Sequence, residues 1–228
     1  MGPPSSLSRY SRRVSAVAAR GEGEDQTTPR SRKGVQTRAR LLEAAKQVFE
    51  ERGFLDARIS DIAERAGLSH GAFYHYFDSK EQVFRELAKT LDDRLSEPMG
   101  SVIFAPGSTA SPRDRIFLAV HRHLERYREE ARIMGVIEEV ARYDEHVFAV
   151  RAAGNARHRQ EIADSIRWMQ RRRLADRTLD AEIAAAALGS MVERFAEMWL
   201  AQKQLDANLD DAANTLATLF VNALGLRP

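Results

Sequence analysis

The residues best suited to chemistry cluster between Ser69 and Lys80: Ser69-His70-Gly71-Ala72-Phe73-Tyr74-His75-Tyr76-Phe77, then Ser79-Lys80. Hydroxyl, imidazole and ammonium groups recur here beside two residues with little or no side chain. Such a set can hydrogen-bond phosphate oxygens and base edges while backbone comes close. Elsewhere the motifs of catalysis are missing. There is no Gly-x-Ser-x-Gly elbow and no His-Glu-x-x-His pair, and Gly21-Glu22-Gly23 is not followed by the third glycine of a phosphate loop. His121 and His123 stand two apart on a helix and diverge, a poor metal pair. Binding rather than catalysis is expected, with no catalytic residue, no cofactor and no metal.

Two short helices around a tight turn must position this cluster. Ile59, Ile62, Ala63 and Ala66 recur at i, i+3, i+4, i+7 and lay one apolar stripe, with Asp61, Glu64 and Arg65 on the wet face. Gly67 stops that helix, because a residue without a Cβ takes the left-handed C′ conformation cheaply. Ser69 is a good N-cap for the next helix, read as His70 to about Phe77. In it Phe73 and Phe77 face the core, while Tyr74, His75 and Tyr76 point elsewhere. The small or polar opening His70-Gly71-Ala72 can press into a major groove. Ser79-Lys80-Glu81-Gln82 fits a capping box for a third helix, so Lys80 sits at a helix N-terminus that favours phosphate. The layout is that of a helix-turn-helix over residues 58–77.

The run Gly-Leu-Ser-His-Gly-Ala-Phe-Tyr-His-Tyr-Phe-Asp-Ser-Lys-Glu, Gly67 to Glu81, resembles the DNA-binding domain of TetR/AcrR-family transcriptional regulators. Thr37 to Phe54 is similar to that family's first helix, and the likeness extends from about Thr37 to Leu95. The resemblance implies that Tyr74, Tyr76 and Lys80 contact phosphates, and that Ser69, His70, Gly71, Ala72 and His75 lie along the groove. Arg58 and Ser60, at the start of the first helix of the motif, join this set. One position departs from the pattern: Arg58 stands where the family usually has a capping Thr. Arginine can reach phosphate but cannot accept from backbone N–H groups, so Asp56 is the candidate cap.

Composition narrows the class. The chain has 228 residues, 43% of them hydrophobic, and no cysteine, which suits a cytoplasmic protein without disulfides or thiolate metal sites. The longest apolar run, Ile183 to Val192, is too short to span a membrane, and the N-terminal region lacks the apolar core of a signal peptide. Net charge is +2, unevenly spread: residues 1–40 hold nine basic and three acidic residues, +6, which leaves −4 for the rest. A basic leading arm, residues 1–33, is expected to be disordered when free and to touch DNA backbone or minor groove. The helix-turn-helix domain is placed at 34–80 and a C-terminal helical domain at 81–228.

Beyond Ser79 every segment reads helical, so the expected fold is all-α: a three-helix DNA-binding domain and a C-terminal bundle. A helix from Ser79 to about Glu97 ends at Pro98 and Gly100, and a loop follows over Phe104 to Pro112. Long helices are expected from about Asp144 to Leu174, from Ala181 to about Gln204 with Asp180 as N-cap, and from about Asp210 to Leu224, closed by Gly225. The Ala181–Gln204 helix is apolar on more than one side, so the last two helices are expected to face the core on one side and a partner on the other. The family resemblance implies a four-helix dimer interface there, assigned to Leu188, Val192, Leu216, Leu219, Phe220 and Ala223. An effector pocket is assigned to Phe117, His121, Met134, Ile137, Phe148, Met169, Met191, Phe195 and Trp199, a lining suited to an apolar or amphipathic molecule. The reading is a homodimeric regulator, a repressor released from a palindromic double-stranded operator by a small effector. The alternative is a helical scaffold or adaptor with no operator.

Overall fold

The protein is described by a computed structural model that covers residues 31–95 and 110–226. Among these residues all regular structure is helical. The basic arm up to residue 30, the helix stop at Pro98 and Gly100, and most of the Phe104 to Pro112 loop lie outside them.

Helix α1, Arg32–Asp56, opens on Ser31, whose hydroxyl accepts from the Gly34 N–H. Gly53 breaks it with φ of 71° and turns Phe54 back toward the helix. Phe54 then stacks on Phe49, and both meet Phe84 edge-on, with centroids 5.8, 4.9 and 4.8 Å apart. Helices α2, Ile59–Arg65, and α3, His70–Phe73, pack on this core through Ile62, Ala63, Phe73 and Phe77, all buried. Helix α4, Lys80–Leu95, closes the unit with Val83 and Phe84 and carries the chain into the bundle.

The bundle holds α5, Pro112–Glu129, α6, Ala131–Val140, α7, Glu145–Arg171, α8, Ala181–Ala196, and α9, Leu209–Ala223. Four of the five starts follow from capping: Ser111, Asp144, Asp180 and Asn208 each accept from the first free N–H groups, whereas α6 has no side-chain cap bond. Asn208 caps α9, which starts at Leu209, one residue before the expected start. Gly225 closes that helix with φ of 61°, and the N–H of Leu226 bonds the Val221 carbonyl at 3.0 Å. The long helix expected to reach Gln204 instead ends as α at Ala196 and continues as a π-helical turn, Glu197–Ala201. That turn buries Trp199 and Leu200.

The two parts are joined by charge as well as by α4. Lys46 of α1 meets Glu130 at 2.7 Å, and Arg85 of α4 meets Asp144 at 2.8 Å. Gly154 in α7 makes the closest approach possible, since a Cβ there would lie 2.0 Å from Asp92 Oδ1. No described helix is long and apolar enough to cross a membrane.

Candidate nucleic-acid interface

The turn is built as its residue types dictate. Gly67 has φ of 65°; its N–H donates to Glu64 and that of Leu68 to Ala63, each at 2.9 Å. This pair of bonds ends α2 and reverses the chain. Arg40 of α1 donates to the Ala66 carbonyl from below. Ser69 then opens α3, accepting from the Ala72 N–H at 3.2 Å. Regular helix ends at Phe73, four residues sooner than expected, although the Tyr76 and Phe77 N–H groups still bond the Phe73 carbonyl. Phe73 and Phe77 anchor this short helix, fully buried.

Anchoring two aromatics inward drives the others outward. Arg58, Ser60, Ser69, His70, Gly71, Tyr74 and His75 are exposed, while Ala72, Tyr76 and Lys80 are half-buried. The His70 and Tyr74 rings meet edge-on at 5.4 Å, which organises one flank. A Cβ on Gly71 would meet nothing within 4 Å, so the fold leaves open space there. Most of the expected DNA-facing residues are thus open to solvent, with two qualifications.

Arg58 occupies the N-cap position of α2 and makes no side-chain cap bond. Asp56 belongs to the end of α1. Lys80 differs more. Its ammonium donates to the carbonyls of Phe54, Leu55 and Ala57 at 2.7, 3.1 and 3.0 Å and lies 4.6 Å from the Phe54 ring centroid. All three N–H donors of this ammonium have an acceptor, so Lys80 braces the α1–α2 corner in this state. The capping box beside it forms with one change. The Gln82 N–H reaches Ser79 Oγ at 3.1 Å, but the Gln82 side chain accepts from Asp78, one residue before the cap.

The residues assigned to the effector pocket differ in their surroundings. Phe148 is 61% exposed. Met134, Ile137 and Trp199 are buried core. His121 pairs with Asp210 at 3.0 Å near the surface. Of the nine, only Met169 lines the apolar cavity between α5, α7 and α9, which measures about 10 Å³. Packing explains this: the bundle helices meet over these side chains and leave a void barely the size of one water. The residues assigned to the dimer interface divide in two within the single chain. Leu188, Val192, Leu216 and Phe220 are buried against their own chain. Leu219 and Ala223 are exposed, as is Ile183, which was not in the assigned set.

The bundle's polar interior went unforeseen. Arg151 of α7 is almost buried and reaches Glu138 at 2.7 Å and Asp92 at 3.3 Å, with Arg157 on the other Asp92 oxygen at 2.5 Å. Burial pushes the Asp92 carboxyl up despite both guanidinium groups. His123, His158 and Glu193 cluster beside them, their ligating atoms all within 4.8 Å of one another. Burial would raise the Glu193 carboxyl, yet His123, Arg151 and His158 together hold it down to about 2. Burial, then His123, lowers the His158 imidazole.

An all-α protein with an anchored two-helix reading head at one end of a helical bundle is a helix-turn-helix protein. Residues 41–87 match the model of bacterial regulatory proteins of the tetR family. Among curated relatives, the uncharacterised HTH-type transcriptional regulator YdgC of Bacillus subtilis is 42% identical over 89 residues, 39% of this chain and 46% of that protein. The HTH-type transcriptional repressor KstR2 of Mycobacterium tuberculosis is 38% identical over 79 residues, 35% of this chain and 38% of that protein. The chain thus spans less than half the length of these relatives. The fold likeness runs further. The fatty acid degradation regulator FadR of Bacillus halodurans superposes with a TM-score of 0.68 at 17% identity, covering 88% of this chain and 100% of that one. The repressor SmeT of a Stenotrophomonas maltophilia multidrug efflux pump gives 0.65 at 19%, covering 82% and 89%.

Proposed function

We propose that this protein is a cytoplasmic transcriptional regulator that binds a palindromic operator as a homodimer and leaves it when a small effector enters the bundle. The observation that carries the DNA-binding part is the exposed Ser69–His75 surface, fixed from beneath by buried Phe73 and Phe77. Tyr74 and the imidazoles of His70 and His75 serve phosphate and base edges, and Gly71 lets backbone approach. Two copies of this head meet two half-sites ~34–36 Å apart, one turn of DNA. In this reading Lys80 acts first as a brace for the corner between α1 and α2, and phosphate competes with three carbonyls for its ammonium.

Repression and effector release rest on similarity. KstR2 and SmeT are named repressors, and FadR is named a regulator of fatty acid degradation. An apolar or amphipathic effector must widen the packing around Met169, because drug-sized ligands need ~300–1,000 Å³. Coupling to DNA then follows if the widened bundle spaces the two heads wrongly for the operator.

The test begins with selection of bound duplexes from a random pool. Enrichment of a two-fold symmetric site supports the reading, and a pool without enrichment refutes it. Lys80→Met then separates brace from phosphate ligand. A brace lowers the melting temperature together with operator affinity, whereas a phosphate ligand alone lowers affinity and flattens its salt dependence.

A further inference from the structure

The His123, His158 and Glu193 cluster draws its members from three different helices, α5, α7 and α8. Nothing in the operator reading uses it. His123 is 7% exposed, and its Nε2 is buried without a hydrogen bond of proper geometry, although Glu193 Oε1 lies 3.2 Å away. An imidazole nitrogen normally finds a partner when buried, because leaving it bare costs the full desolvation of that atom. The His123 and His158 rings stand 5.6 Å apart, tilted by 30°.

We infer that His123, His158 and Glu193 form a binding site for one divalent transition-metal ion, zinc in the first place, that ties α5, α7 and α8 together inside the bundle. Two imidazoles and a carboxylate are a ligand set suited to zinc and its first-row neighbours. Ligand atoms around a tetrahedral ion at ~2.0–2.1 Å lie ~3.3 Å from one another. The present limit of 4.8 Å closes to that spacing with a movement of about 1 Å by flexible side chains.

Charge favours the ion. Arg151 is the cation that competes for Glu193, but it approaches the other oxygen, Oε2, and only to 4.0 Å. Its shorter pairs are to Glu138 and Asp92. Oε1 therefore remains for metal, while the Arg151 contact orients the carboxylate from behind. The carboxylates of Asp92, Asp93, Glu138 and Glu193 face the guanidinium groups of Arg151 and Arg157, with Arg159 on the adjoining cavity, four negative against three positive when all are charged. That negative excess favours a cation.

Three protein ligands leave a fourth position. His158 and Glu193 line a cavity of about 180 Å³ that also presents Asn155, Arg159 and Ser190. Water, or a small anion held by Arg159, fits that position, so the site has the open form of a metal that binds a further ligand rather than the closed form of a purely structural one.

The test uses the full, tag-free chain and Co²⁺ as the probe, with Zn²⁺ in competition. One Co²⁺ per chain is expected, with the intense visible bands of four-coordinate Co²⁺ and displacement by Zn²⁺. His158→Gln, a half-buried change, should lower Co²⁺ affinity at least ~100-fold, the scale on which loss even of a ligand's supporting partner acts. Circular dichroism should show retained helix in that variant. His123→Gln should do the same. His121→Gln should bind as the original chain does, since His121 pairs with Asp210 instead. A folded chain that takes up no Co²⁺ at equimolar concentration overturns the proposal, as does a His158→Gln chain that binds unchanged. DNA takes no part in the measurement, so its outcome is independent of the operator reading.

Discussion

The helix-turn-helix unit and the bundle handle charge in opposite ways. The N-terminal unit keeps its core apolar and sends its polar groups to the rim: Arg65 pairs with Glu51 at 2.5 Å and Arg52 with Asp61 at 2.6 Å, both at the surface. The bundle instead brings Asp92, Arg151, His123 and Glu193 inside. A rim pair in solvent adds little stability and leaves the surface free for a polyanion. A buried network adds little net stability, but each member becomes costly to remove alone. The first arrangement suits a rigid head that reads, and the second suits a body whose packing a ligand can alter.

Breaking the two cores should therefore look different. Phe73→Ala should cost ~3–5 kcal/mol and take operator binding with it, since Phe73 holds α3 in place. Arg151→Ala should cost a similar ~3–5 kcal/mol by leaving Glu138 without its partner and Asp92 with Arg157 alone. It spares the head, so operator selectivity should persist at temperatures where the chain stays folded. Chemical denaturation of both variants beside operator titration checks the pair. Equal loss of selectivity in both would erase the contrast.

Gly154→Ala probes the junction. The new Cβ would fall within 2.0–2.5 Å of three Asp92 carboxylate atoms, so α4 must move away from α7. A loss of ~1–3 kcal/mol is expected from overpacking. The added signature is altered hydrogen exchange along Lys80–Leu95, and protection as in the original chain would show that the junction absorbs the methyl group.

The smallest effect is a pH dependence at the same junction. Burial alone would push the Asp144 carboxyl up, but Arg85 and the His146 and Val147 N–H groups hold it below the usual range. The unfolded chain then takes up its proton at higher pH than the folded one. This contribution is fully present above the ordinary carboxylate value of ~3.9 and is lost as pH falls through the lower folded value. Asp144→Asn should therefore flatten the decline of melting temperature below about pH 4. An identical decline in the variant would exclude Asp144 as a source.

The same contrast separates what the chain sequence discloses from what it hides. Gly67, Ser69 and the Phe73–Phe77 spacing act over a few residues, so the turn, its cap and the inward and outward faces are legible from local chemistry. The N-caps Asp144 and Asp180 are legible for the same reason, Asp180 having been expected and Asp144 placed at the helix start. Lys80 is not, because its three carbonyl acceptors lie 23–26 residues back and the fold alone brings them to it. The His123, His158 and Glu193 cluster is hidden more deeply. His123 was weighed against His121, its neighbour in sequence, whereas its spatial neighbours stand on two other helices. The pocket and dimer assignments rest on helical spacing alone, and apolar residues on a long helix look alike whether they face core, cavity or partner. Only packing tells Phe148, exposed, from Met134, buried.

The central claim is that the exposed face of α3 reads DNA while its buried face merely holds it. The most direct measurement is an operator titration of the Tyr74→Ala/His75→Ala double variant beside the original chain at two salt concentrations. Both side chains are exposed, so the melting temperature should hold within a degree or two. Operator affinity should fall at least ~10-fold, about 1.4 kcal/mol. A folded double variant with the original affinity and the original salt dependence would contradict the account.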